Sequence, residues 1–152
     1  MAIIDPETAR STFRRLKQGK ELHEVSEYFL RVMTQKLQAP PYIEAGAQAT
    51  KEEPGTIKIA TPHGDVICVT EHVRMNAEVA ARLNFSAIRR DVAGRISGRE
   101  FFSIVLAADW GVEKIANTPS AGRFGPVWGG DQIIDEIIVL MLSKLQDSLA
   151  QV

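Results

Sequence analysis

The pattern of apolar positions changes character three times along the chain. Asp5-Pro6-Glu7 has the form of a helix start: a capping acid, a proline at the first helical position and an acid in the first turn. Ala9, Phe13 and Leu16 then form one stripe, and Leu22, Val25, Phe29, Val32 and Met33 form another. At about 100° per residue the two stripes point roughly opposite ways on one continuous wheel. Gly19, following Lys17 and Gln18, is the natural place for a break. The reading is a helix over 6–18 and a second over 20–38, ended by Ala39-Pro40-Pro41. If no break forms, residues 1–19 have reason to project as a helical arm and pack on something else, such as a second subunit.

Period two takes over in the middle. Residues 42–55 read as a loop. Thr56–Ala60 and Asp65–Val73 flank Thr61-Pro62-His63-Gly64, which fits a type I turn feeding a bulged hairpin. Val79, Ala81, Leu83, Phe85 and Ala87 alternate with smaller or polar residues, as in a strand with one buried face. Phe101–Ala108 is β-rich on both faces, a central strand, and Arg90–Arg99 is an arm between these two. The last element, Asp131 to about Ala150, is a helix with Asp131 at its cap. Its apolar arc spans roughly 200°, about twice the minimum for a surface helix. The fold class predicted is α+β: a four-stranded antiparallel sheet with two N-terminal helices and a long C-terminal helix, packed mainly on one face. The 152 residues fit one domain. The over-wide last helix makes a homodimer through the C-terminal or N-terminal helix the rival to two helices covering each other.

The segment 117–130 stands apart. Its four glycines and two prolines read as irregular, yet it holds Arg123, Phe124 and Trp128, types that loops rarely display without a contact to make. Asp109-Trp110-Gly111 closes the fourth predicted strand at the end from which this loop departs. Asp109, Trp110, Arg123, Phe124 and Trp128 are therefore the candidate binding residues: an acid, a cationic fork and aromatic walls. The competing reading makes the aromatic rings a plug for the open end of the core, with Arg123 paired to Asp109.

Charge and chemistry narrow the field. The net charge of -1 creates no global pull toward nucleic acid or membrane. Its distribution is uneven: residues 1–99 hold 15 Lys/Arg against 12 Asp/Glu, whereas residues 100–152 hold 3 against 7. Arg89, Arg90, Arg95 and Arg99 form a basic patch, but no exposed aromatics interleave with it as single-strand stacking requires, so nucleic acid is disfavoured. His23, His63 and His72 share no ligand-like spacing, and no metal or other cofactor is expected. Cys68 lies in an apolar strand, where a thiol behaves as a small hydrophobe, and a lone cysteine suits the cytoplasm. The chain's start lacks a basic n-region and apolar h-region, and its longest apolar run, Ile137–Leu142, is far short of a bilayer span, so neither signal peptide nor membrane is expected. No Gly-x-Ser-x-Gly elbow, Walker loop, dinucleotide fingerprint or His-Glu-x-x-His helix occurs.

The functional expectation is a non-catalytic interaction or accessory module that meets a protein partner through the 117–130 loop. The alternative is a small-molecule-binding domain or small enzyme with a cleft between sheet and C-terminal helix, using Asp109 or His72 as acid or base and Arg123 as anion binder. A third reading is weak nucleic-acid binding through the Arg89–Arg99 arm.

Overall fold

A computed structural model describes residues 3–152. The element order is α1 (Pro6–Leu37), β1 (Gln48–Glu53), β2 (Thr56–Thr61), β3 (Gly64–Met75), β4 (Glu78–Arg90), β5 (Ile96–Leu106), β6 (Gly111–Ile115), β7 (Thr118–Arg123), a 3-10 turn (Pro126–Trp128) and α2 (Gln132–Asp147). The seven strands pair antiparallel in chain order, forming an open meander. The α+β class and the antiparallel sheet are as expected. The strand count and the number of N-terminal helices are not.

α1 starts where the sequence says it should. The Asp5 carboxylate accepts from the Thr8 N–H at 2.8 Å and from the Thr8 hydroxyl at 2.9 Å, with Pro6 opening the helix. Gly19 does not break it; one helix of 32 residues, about 48 Å long, replaces the predicted pair. A mid-helix glycine costs roughly 0.5–1 kcal/mol relative to alanine. Contacts to the tip of the β3–β4 hairpin work against that cost. The Arg15 guanidinium donates to the Ala77 carbonyl at 3.2 Å, Gln18 bonds Glu78, and the Val79 N–H donates to the Gln18 side chain at 3.4 Å. Gly19 faces the His72 ring, where an added Cβ would make an ordinary contact at 3.4 Å.

Because α1 is continuous, its first stripe faces away from the core. Burial along the described part of the helix begins at Leu22, while Phe13 and Leu16 are each 69% exposed. Leu22, Phe29, Met33 and Leu37 then pack with Ile134, Ile137, Ile138, Met141 and Leu145 of α2 over Ile57, Ile59, Cys68, Leu83, Phe85, Ile104 and Leu106. Burial pushes the Cys68 thiol far up, which removes it as a nucleophile at neutral pH. The opposite sheet face carries polar groups: Arg82 lies 2.7 Å from Glu100 and 3.6 Å from Glu71. No described helix is long and apolar enough to cross a membrane.

Of the extra strands, β1 and β7 come from segments read as irregular, and β6 from a stretch to which the pattern assigns no element. β1 lies inside the expected 42–55 loop. The Arg90–Arg99 arm is mostly hairpin, with its turn closed by the Arg95 N–H on the Asp91 carboxylate at 2.8 Å. β6 and β7 are joined by Ala116-Asn117, both at positive φ (50° and 67°), the backbone of a two-residue I′ hairpin turn. The β2–β3 hairpin keeps register from Thr56↔Val69 to Thr61↔Gly64 and lacks the expected bulge.

Glu27 ties the β1 edge to α1: it accepts from the Gly55 N–H at 2.6 Å and pairs with Lys51. Burial works to raise its carboxyl, but the Lys51 ammonium and the Gly55 N–H together outweigh that and hold it below its ordinary 4.5. A lowered folded value means a contribution complete above the unfolded value and lost as pH falls through the folded one. Wild type is therefore expected to exceed Glu27→Gln in urea melts at neutral pH, with the gap closing as pH falls below the ordinary carboxylate range.

Candidate interaction site at the β7 edge

Two tight turns build this site. Between β5 and β6 the chain reverses through Asp109-Trp110, with Trp110 at φ 68° and the Asp109 carboxylate accepting from the Gly111 N–H at 3.2 Å. β6–β7 pairing sets Arg123 opposite Gly111 and so brings it to that turn. The Arg123 guanidinium donates to the Asp109 carboxylate at 2.9 Å and to its carbonyl at 3.1 Å. The same guanidinium lies over the Trp128 ring, 4.6 Å from its centroid. Asp109, Arg123 and Trp128 thus do meet.

The rings divide. Phe124 is fully buried, edge-on to Phe29 at 5.4 Å and to Trp110 at 5.6 Å. Trp110 is half-buried and meets Tyr28 edge-on at 5.1 Å. Trp128 remains 51% exposed. Its neighbour Val127 is exposed too.

Asp131 departs from expectation. Its side chain does not cap α2; it accepts from the Tyr28 hydroxyl at 2.9 Å and from the Gly125 N–H at 3.1 Å. Burial, then the Asp131 carboxylate, push the Tyr28 hydroxyl above its usual value and keep it a donor. A Gly125–Gly130 bridge closes the segment between them. Tyr28 lies beside the core stripe of α1, so nothing in the local pattern marks it as the anchor of a loop about a hundred residues away.

β7 is the last strand of the open sheet and pairs, among the described residues, with β6 alone. Two clefts flank it along α2. One of about 390 Å³ is lined by Gly122, Arg123, Trp128, Ile133 and Glu136. The other, about 430 Å³, is lined by Ile115, Pro119, Ser120, Leu140 and Lys144. Ile133, Glu136, Leu140 and Lys144 recur at helical spacing on α2, a groove-lining face missed by reading them only as core or solvent positions.

The remaining candidates lie elsewhere. Strand alternation splits the basic patch: Arg89 and Arg99 share the face of Ala87, whereas Arg90 takes the other. Arg89 donates to the His63 carbonyl at 3.3 Å and the Ser148 hydroxyl at 3.4 Å. His63 occupies the β2–β3 turn and His72 sits nine residues along, roughly 30 Å in extended chain. No group of three or more His, Cys, Asp or Glu fit to hold a metal occurs among the described residues. His72 lines a groove beside α1, Arg123 the cleft beside α2, and Asp109 lines neither. Comparison of the chain with protein-family models, curated proteins and solved structures returns no match.

Proposed function

We propose that this chain is a non-catalytic interaction module that receives an extended segment of a partner protein along β7. The observation supporting this reading is the Trp128 ring: half-exposed, backed by a guanidinium that Asp109 holds in place, beside an edge strand that, among the described residues, is free on one side. Strand addition supplies affinity through main-chain hydrogen bonds and specificity through pockets for alternate side chains. The two clefts along α2 offer such pockets at either end of β7. A ring whose orientation is already held loses little freedom on binding, which is where interface tryptophans gain their weight.

Selection of binders from a random-peptide display library provides the test. Selected peptides are expected to lose about 2 kcal/mol of affinity, roughly 30-fold, on Trp128→Ala. The melting temperature of that variant should barely move, since the ring is half in solvent. Peptides indifferent to Trp128, or a variant that unfolds, would overturn the reading.

A further inference from the structure

We infer that the strand received by β7 carries a basic, an apolar and an acidic side chain at alternate positions, in that order from its amino end. The inference rests on the reading of β7 as a docking edge and adds the chemistry of its occupant. α2 presents three exposed side chains to the groove at steps of about one turn: Glu136, Leu140 and Lys144. Four residues of helix advance about 6 Å, and two residues of strand advance about 6.6 Å. A strand laid along β7 therefore brings successive same-face side chains to Glu136, Leu140 and Lys144 in turn. The groove is shaped to admit them. At the start of α2, Ile133 rests on Gly122, where an added Cβ would run into its side chain. Toward Lys144 the helix stands off the β6–β7 hairpin and leaves the cleft of about 430 Å³ over Pro119 and Ser120. Leu140 is 42% exposed at the wall of that cleft, a place for an apolar side chain.

Charge sets the two ends. Glu136 and Lys144 make no ion pair among the described residues. Arg123 lines the cleft of Glu136, but its charge is matched by Asp109, so the charge left over there is negative. Trp128 lines the same cleft, and its ring favours a cation as well. In the other cleft, Lys144 is the one charged residue among the described lining, so the charge left over is positive. A basic side chain fits the first end and an acidic one the second. Direction follows from the sheet, in which every strand pair is antiparallel. Antiparallel ladders are also slightly the more stable kind. β7 runs from the cleft of Lys144, lined by Ser120, to that of Glu136, lined by Gly122. An antiparallel occupant therefore begins beside Glu136 and ends beside Lys144.

Fluorescence anisotropy of the full chain with two labelled nine-residue peptides is the experiment. Both peptides are threonine-rich and share one composition. The first has lysine, leucine and glutamate at its third, fifth and seventh positions; the second exchanges the lysine and the glutamate. Wild type is expected to bind the first about 5–50-fold tighter, because two ion pairs made by one become like-charge contacts in the other. Added salt should shrink that preference. Glu136→Lys combined with Lys144→Glu should reverse it, with the melting temperature unchanged because both side chains are exposed. Equal binding of the two peptides overturns the inference, as does tighter binding of the second or a preference that the charge-reversed variant leaves in place. If such binding still needs Trp128, the docking edge itself stands. Binding of neither peptide, where library-selected peptides bind in a Trp128-dependent way, overturns the inference as well. Should no peptide bind at all, the reading beneath it fails and the inference falls with it.

Discussion

Replacing Phe124 by alanine is expected to lower the unfolding free energy by about 3–5 kcal/mol, at the upper end of what single core truncations do. Phe124 is fully buried where three elements converge: α1 through Tyr28 and Phe29, the β5–β6 turn through Trp110, and its own chain at the exit of β7. Removing the ring leaves a hole that none of these can fill alone. Tyr28 is tied to Asp131, and Trp110 is held by its positive-φ turn. Collapse is therefore limited and the cavity cost stays high. For a chain of this length the loss corresponds to roughly 6–20 °C in melting temperature, at about 2–4 °C per kcal/mol. Thermal unfolding followed by circular dichroism measures it. Set beside Trp128→Ala, which should change stability little, the pair separates the ring that holds the site from the ring that faces outward. A Phe124→Ala variant as stable as wild type would mean that the three elements do not depend on one another here.

Gly125→Ala is expected to cost about 2–6 kcal/mol, for two independent reasons. The residue has φ 99° and ψ 174°, a region open essentially to glycine, and strain there is of order 1–3 kcal/mol. The added methyl would also lie 2.6 Å from the Trp110 ring, and relieving that contact adds an overpacking cost of about 1–3 kcal/mol. The ring cannot move without loosening its edge-on contact to Tyr28. Alongside the loss of stability in urea, the tryptophan emission of the folded protein should shift as Trp110 gains contact with water. Lost stability without a spectral change would place the cost in the backbone alone. No loss at all would contradict the geometry of this turn.

Strong local signals were legible in the sequence. The Asp5-Pro6-Glu7 start and the C-terminal helix appear where the pattern sets them, the β2 to β4 cores alternate with period two, and the end of β5 is buried on both faces as its composition indicates. β1 was illegible because Gln48-Ala-Thr-Lys-Glu-Glu buries only Ala49, so no alternation of large apolar residues exists to be seen. β7, Thr-Pro-Ser-Ala-Gly-Arg, has the composition of a loop. Both extend because a neighbouring strand offers them a ladder, and pairing of that kind overrides weak intrinsic preference. Ala116 at positive φ shows the same override in a turn that Asn117 alone would barely suggest.

The candidate site was partly legible for a related reason. Asp109, Arg123 and Trp128 were marked by residue type, and the structure brings them together. The sequence could not say which rings would turn inward, because the facing of Trp110 and Phe124 depends on the β6–β7 register and on two turns at unusual φ. Nor could it show that Asp131 serves Tyr28 rather than its own helix, since the two lie 103 positions apart.

Local chemistry by itself determined where α1 and α2 begin, which of the β2 to β5 strands own a buried face, and that α1 bears two apolar stripes pointing opposite ways. Tertiary structure alone decided that Gly19 stays helical, that seven strands form rather than four, and which side chains remain in solvent. The reason is one of range. Capping and periodicity are settled within a few residues of the chain, whereas edges, register and outward-facing rings exist only after distant segments have packed.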